Sequence, residues 1–358
     1  MSDEPLLEVE NLKTYFHTDE GTVRAVDGVS FDVDRGETVC IVGESGSGKT
    51  VTSESITRIL QIPPGEIVEG SVTFDGMELT ELSDTELQEI RGNRISHIFQ
   101  NPQGGLNPVY RVGRQIGETI RIHEDDVSKE EVRGRVVDLL DRVGIPDAAT
   151  RVDDYPHEFS GGMKQRVMIA MALAMQPDLL IADEPTTALD VTIQAQILQL
   201  LEDLQEEFDM SVIFVTHDLG VVAEIADRVV VLYAGKVMER GDVYEIFENP
   251  AHPYTHALLE CLPGRGEEAR AIGGSLPDPT NPPDGCRFNP RCAHATEDCE
   301  VGDQPDLYQV RGDEEHRASC VYYGPGYDPA ELERQRNTQA TTDGEEFETR
   351  ADGGVTDE

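Results

Sequence analysis

The chain has 358 residues and a formal charge of -42, from 71 acidic and 29 basic side chains. That length exceeds one typical domain and suits a large domain with a smaller appendage. A field of that sign repels phosphate backbones, which excludes nucleic-acid binding through a broad basic face.

The only lysines are Lys13, Lys49, Lys129, Lys164 and Lys236. Abundant Asp and Glu with scarce Lys reads as solvation for high salt. There the Debye length falls to about 3 Å at 1 M, and self-repulsion is tolerable. The start, "MSDEPLLEVE", is acidic and has no apolar core, so it does not read as a signal peptide. The longest apolar run is "VMIAMALAM", residues 167–175, far short of the roughly 18 residues a spanning helix needs. The expectation is a cytosolic chain or one docked on a membrane protein, a setting that disfavours structural disulfides.

In chain order, "LLEVENLKTYF" and "VRAVDGVSFDVDRGETVCIVGE" alternate and then run apolar. They predict an antiparallel β region followed by the buried strand "TVCIVG". Residues 51–60 read as helix. "GSVTFDGMEL" reads as a short strand with a turn at Asp75-Gly76. Residues 83–158 read as helical and polar, interrupted by Gly and Pro. A helix over about 162–175 precedes the strand "DLLIAD". A long helix over 191–208, the strand "SVIFVTH" and the hairpin "DRVVVLYAGKVME" follow. Strands alternating with helices predict a parallel sheet, hence an α/β fold. Composition shifts to Pro, Gly and Cys near residue 250. From about 326 the chain is polar and acidic and reads as a largely disordered tail that starts with one weak helical turn. No repeat is evident, so one catalytic module is expected.

"GESGSGKT", Gly43 to Thr50, fits the spacing of a phosphate-binding loop and sits between a predicted strand and a predicted helix. Gly43, Gly46 and Gly48 would let the backbone N–H groups of Glu44, Ser45 and Ser47 turn toward phosphate oxygens. The helix N-terminus would add its dipole. Lys49 should reach the β- and γ-phosphates of a bound nucleotide, and the Thr50 hydroxyl should ligate Mg²⁺. "LLIADEP", Leu179 to Pro185, is an apolar strand ending in two carboxylates. Asp183 can hold Mg²⁺ through water, and Glu184 can polarise the attacking water.

With "FSGGMKQR" (Phe159 to Arg166), "TTALD" (Thr186 to Asp190) and "VTHD" (Val215 to Asp218) the motifs stand in one order. That order resembles the ATP-binding cassette (ABC) ATPases over about residues 5–250. The resemblance implies a parallel core sheet, an antiparallel β subdomain and a helical subdomain at about 83–165. It implies that Ser160, Gly161 and Gly162 face the γ-phosphate held by a partner subunit, in a head-to-tail dimer of identical or homologous chains. It implies that His217 positions water at the γ-phosphate and that Gln100 ligates Mg²⁺ and senses a membrane partner. Asp190 would cross the dimer interface. The adenine-stacking aromatic would be Phe16, with Tyr15 as alternative.

"FQNPQGGLNPVYRVGRQI", "YPHEFSGGMKQRVMIAMAL" and "NPAHPYTHALLECLPG" resemble the branch that powers dipeptide, oligopeptide and nickel importers. Members usually have Leu where Phe159 stands and Gln where Glu158 stands. The resemblance implies two permease subunits and, indirectly, an extracellular solute-binding protein, with this chain on the cytoplasmic face of the membrane. A sugar or nickel importer and a soluble non-transport ATPase are the alternatives. Together with the composition it suggests a halophilic, haloarchaeal type.

Residues 251–325 would form the C-terminal extension, and 326–358 the tail. In "CRFNPRCAHATEDC" and beyond, Cys286, Cys292, Cys299 and Cys320 are separated by five, six and twenty intervening residues. Cys40 and Cys261 read as structural. Four thiolates in a Pro-rich segment with little apolar content suggest a metal, either Zn²⁺ or a [4Fe–4S] cluster. The resemblance favours the cluster, since members of the branch carry one at a similar arrangement.

Overall fold

The computed structural model describes residues 4–100, 102–187, 189–262 and 272–335. The chain falls into two compact units, residues 1–237 and 238–358. The first unit opens with β1 (Leu7–Thr18), β2 (Gly21–Val33), β3 (Thr38–Val42) and α1 (Lys49–Ile56). Then come β4 (Gly65–Phe74), β5 (Met77–Glu78), α2 (Asp84–Ile90), β6 (Ile95–Ile98) and α3 (Pro102–Gly105). The helices α4 (Val112–His123), α5 (Lys129–Arg142), α6 (Ala148–Arg151) and α7 (Gly161–Ala172) follow. The unit closes with β7 (Leu179–Asp183), α8 (Val191–Phe208), β8 (Ser211–Thr216), α9 (Leu219–Ile225) and β9 (Arg228–Tyr233). The chain enters the second unit along β10 (Lys236–Asp242). That unit holds α10 (Val243–Glu248), α11 (Pro253–Glu260), β11 (Tyr308–Val310) and β12 (Asp313–Ala318).

One sheet of the first unit is antiparallel, in the order β2-β1-β4-β5. The core sheet is parallel through β9-β3-β8-β7-β6. Every residue of β3, β7 and β8 is buried. α1 packs on β7 and β8, and α9 packs on β3 and β8. Strands covered by helices need apolar side chains on both faces, which is why "TVCIV", "LLIAD" and "SVIFVT" run apolar instead of alternating.

The helices between β5 and β7 pack through spaced apolar stripes. Val112, Ile116 and Ile120 are buried on α4, and Val132, Val136, Leu139 and Leu140 on α5. Ser128 caps α5 by accepting from the Glu131 N–H at 3.2 Å.

Some local expectations are revised. The stretch 83–158 is not helical throughout, because Ile95–Ile98 forms β6 and pairs in parallel with β7. Four residues are too few for a period to emerge. α1 stops at Ile56, short of residue 60.

In the second unit β10 pairs with β12 through Glu239↔Ala318 and Arg240↔Arg317, and β12 pairs with β11. Glu239 and His316 are both buried and meet at 2.7 Å. The Glu239 carboxylate also accepts the N–H groups of Ala251 at 2.7 Å and His252 at 2.8 Å. These bonds tie β10 to the segment beyond residue 250. The division therefore falls before the compositional shift. At the start of the expected tail, residues 329–335 are helical, more than the single turn expected, and Leu332 is buried against Cys320 and Tyr322. The remainder of the expected tail, 336–358, lies outside the described residues.

Candidate functional site

The site lies at the carboxyl ends of the parallel strands. β3 runs into Gly43, β7 into Asp183 and Glu184, β8 into His217, and β6 toward Gln100. That edge is where parallel α/β sheets hold ligands.

The Gly43–Gly48 loop is built around close approach. Gly43 has φ 152, and a Cβ there would come within 2.1 Å of the Leu232 carbonyl oxygen. Gly48, the N-cap of α1, has φ 105, and its Cβ would meet the Ala25 carbonyl oxygen at 2.3 Å. Only glycine tolerates both constraints. Lys49 is buried and donates to the carbonyl oxygens of Gly43 at 2.8 Å and Glu44 at 3.0 Å. Burial pushes its ammonium down, against the opposing pull of Glu184, Asp183 and Glu44. Ser45 and Gly46 are exposed on the loop, whereas Ser47 is fully buried with an unpartnered hydroxyl.

Asp183 is buried and its Oδ1 has no partner, while the Thr50 hydroxyl hydrogen-bonds its carboxylate. Burial pushes the Asp183 carboxyl up. A buried, partly unsatisfied carboxylate beside a threonine hydroxyl is a suitable donor pair for Mg²⁺. The residues therefore fit the expected ion.

Glu184 is held by three side chains. Its Oε2 accepts from Gln100 Nε2 at 2.8 Å and from the Thr187 hydroxyl at 3.0 Å. Its Oε1 meets His217 Nδ1 at 3.0 Å. An ionised carboxylate can only accept, so the imidazole carries a proton on Nδ1. Burial pushes the Glu184 carboxyl up, but the bonds from Gln100, His217 and Thr187 outweigh it and hold it below the usual glutamate range. The backbone of Glu184 is left-handed, with φ 46. Strain of this kind gathers at functional positions. The structure joins Gln100, Glu184 and His217 and adds Thr187, which no sequence motif singles out. A hydroxyl three residues after a carboxylate that ends a strand is the signal that was available.

The two aromatic candidates point differently. Thr14 and Phe16 share one face of β1, and Tyr15 takes the other. The Thr14 hydroxyl meets the Ser55 hydroxyl of α1 at 2.8 Å, so their face is turned to the phosphate-loop helix. Tyr15 donates its hydroxyl proton to Asp27 Oδ1 at 2.7 Å, with the Arg24 guanidinium 6.0 Å from its ring centroid.

Among the described residues, Ser160, Gly161 and Gly162 are not hydrogen-bonded to this network. Ser160 caps α7 by accepting from the Met163 N–H at 3.3 Å. Gly161 has open space where a Cβ would stand. The free helix N-terminus suits an anion supplied from elsewhere. Asp190 likewise serves locally, capping α8 by accepting from the Ile193 N–H at 3.0 Å. The two departures from the family pattern are accommodated: Phe159 is buried, and the Glu158 carboxylate accepts the Tyr155 N–H at 2.7 Å.

In the second unit Cys286, Cys299 and Cys320 are buried and Cys292 is half-buried. Gly285, at φ 67, lets the chain pass so close to Cys299 that a Cβ would sit 2.3 Å from its carbonyl oxygen. The Cys286 N–H then donates to that same oxygen at 2.9 Å. Gln304 accepts the Arg287 N–H at 2.9 Å and donates to the Ser319 hydroxyl at 2.7 Å, which draws in the strand leading to Cys320. Burial pushes the Cys286 thiol up to about 11. Burial also raises Cys320, and the charges of Cys286, Cys292 and Cys299 add to it, so all four lie within electrostatic reach. Among the described residues no group of three or more His, Cys, Asp or Glu is placed to hold a metal ion. No helix among them is long and apolar enough to cross a membrane.

Comparison with known proteins agrees with this geometry. The ABC transporter family profile matches residues 26–187, and the profile of the oligopeptide/dipeptide transporter C-terminal region matches residues 238–299. The chain is 53% identical over 309 residues to the oligopeptide transport ATP-binding protein OppD of Bacillus subtilis, covering 85% of this chain and 86% of that one. It is 50% identical over 335 residues to a putative peptide import ATP-binding protein of Brucella ovis, covering 90% and 98%. Among solved structures, it resembles a dimeric ATP-binding cassette in a post-hydrolysis state bound to ADP and Pi. There the TM-score is 0.60 at 31% identity, covering 66% of this chain and 98% of that one. It also resembles cbiO1 of Clostridium perfringens, with TM-score 0.59 at 30% identity, covering 69% and 92%. The chain therefore belongs to the ABC transporter ATPases, in the group that carries the oligopeptide/dipeptide transporter C-terminal region.

Proposed function

We propose that this chain is the ATP-hydrolysing subunit of an importer that moves peptides through two permease subunits. The observation that carries the reading is the pairing of an ABC cassette with the oligopeptide/dipeptide C-terminal region in one chain. Two copies, or this chain and a homologue, would close head to tail on ATP. Differential affinity of ATP for the closed pair then drives the permeases between their two states. The chain would work at the cytoplasmic face of the membrane. A complex of this chain with its two permeases and binding protein, reconstituted in vesicles, tests the reading. Its ATPase rate should rise when the binding protein is loaded with short peptides. Stimulation by sugars or nickel but not by peptides would overturn the peptide assignment.

Each residue then has a role at the nucleotide. Phe16, on the α1-facing side of β1, stacks on adenine, since Tyr15 is engaged with Asp27 on the opposite side. The loop N–H groups of Gly43 to Gly48 and the Lys49 ammonium take the phosphates. Thr50, Asp183 and Gln100 would hold Mg²⁺, which supplies charge neutralisation on the phosphate oxygens. Glu184 takes the proton of the attacking water, with His217 orienting it. Ser160, Gly161 and Gly162 face the nucleotide of the partner subunit, and Asp190 contacts that subunit.

For the second unit we favour a [4Fe–4S] cluster on Cys286, Cys292, Cys299 and Cys320. Four thiols in one small unit, three of them buried and the other three within electrostatic reach of Cys320, support the reading. Protein purified without oxygen should be brown, and Cys292→Ser should lose the visible absorbance. Colourless, metal-free protein would overturn the assignment. The -42 charge and the five lysines support adaptation to molar salt, which screens that charge.

A further inference from the structure

We infer that Thr187 is a positioning residue for ATP hydrolysis, acting through its hydroxyl on the carboxylate of Glu184. The inference rests on the reading of Glu184 as the group that takes the proton from water. Thr187 Oγ1 donates to Glu184 Oε2 at 3.0 Å. Gln100 Nε2 donates to the same oxygen at 2.8 Å, and His217 Nδ1 to the other oxygen at 3.0 Å. The three donors come from separate stretches of chain: the exit of β6, the exit of β8 and the β7–α8 connection. With two of them on Oε2 and one on Oε1, the carboxylate is fixed in both position and rotation.

The backbone reinforces this at Thr187 alone. The Glu184 N–H donates to the Val215 carbonyl oxygen at 2.8 Å, which pins the residue to β8. The Thr187 N–H donates to the Glu184 carbonyl oxygen at 3.2 Å, closing a turn in which Glu184 has φ 46. The turn brings the hydroxyl back over the side chain that starts it. Gln100 and His217 reach Glu184 from other loops, whereas Thr187 belongs to the turn that Glu184 starts. Its hydroxyl therefore ties that turn to the orientation of the base. Orientation matters because a misaligned base loses most of its rate advantage even when its chemistry is intact.

The test is a set of variants of the full chain, with steady-state ATP hydrolysis as readout. Thr187→Val keeps the shape and removes the hydroxyl. It should lower kcat about tenfold, the scale of one hydrogen bond to a charged group, with KM for ATP within about twofold. Thr187→Ser should restore kcat. In a Glu184→Gln background, Thr187→Val should cause no further loss, because the group it positions is gone. A normal kcat in Thr187→Val beside an inactive Glu184→Gln would overturn this inference alone. So would an unchanged kcat with a raised KM, or full additivity in the double variant. Hydrolysis surviving in Glu184→Gln would overturn the reading of the base, and this inference with it.

Discussion

Replacing Glu184 by Gln should lower ATP turnover by about 10²- to 10⁴-fold, the range general-base catalysis contributes, while ATP still binds. The amide has nearly the same shape but cannot take the proton of the attacking water. The surrounding network can adapt to it. Gln100 can turn its amide, Thr187 can accept instead of donate, and His217 can carry its proton on the other nitrogen. Lys49, Thr50 and Asp183 keep their contacts around the phosphate loop. The variant should therefore accumulate as an ATP-bound dimer, visible by size-exclusion chromatography with ATP and by the absence of phosphate release. Wild-type turnover would show that Glu184 is not the base.

Gly43→Ala should weaken ATP binding without touching any side chain that contacts phosphate. A methyl group at residue 43 would overlap the Leu232 carbonyl oxygen at 2.1 Å and the Ser47 hydroxyl at 2.8 Å. The serine can rotate, but the carbonyl belongs to buried β9 and cannot. The backbone at φ 152 is also disfavoured for alanine. Leaving that conformation costs about 1–3 kcal/mol, or roughly 5- to 150-fold in affinity. Titration with a fluorescent ATP analogue measures it. Gly36→Ala is the control: it shares a positive φ, at 74, but has nothing within 4 Å of its Cβ. It should bind ATP normally. Equal affinities for both variants would show that the crowding at Gly43 does not shape the loop.

The contiguous parts of the site were legible because their chemistry is local. A phosphate loop needs glycines, a lysine and a hydroxyl at fixed spacing between a strand and a helix, and "GESGSGKT" has them in that context. Apolar runs marked β3, β7 and β8, since strands covered on both faces need apolar residues throughout. The spacing of the cysteines showed that a group of thiols was present.

What the sequence could not show is what depends on distant residues meeting. β6 is four residues long and exists through its pairing with β7. The helix at 329–335 exists in a stretch that reads as polar because Leu332 finds Cys320 and Tyr322. Which of Tyr15 and Phe16 faces α1 depends on the register of β1, and one residue of register reverses that face. The three-donor hold on Glu184 draws residues 100, 187 and 217 together at the ends of neighbouring strands. Local spacing and composition by themselves determined the nucleotide chemistry. Only the tertiary structure decided how the Glu184 carboxylate is held, because long-range strand order sets which loops converge on it.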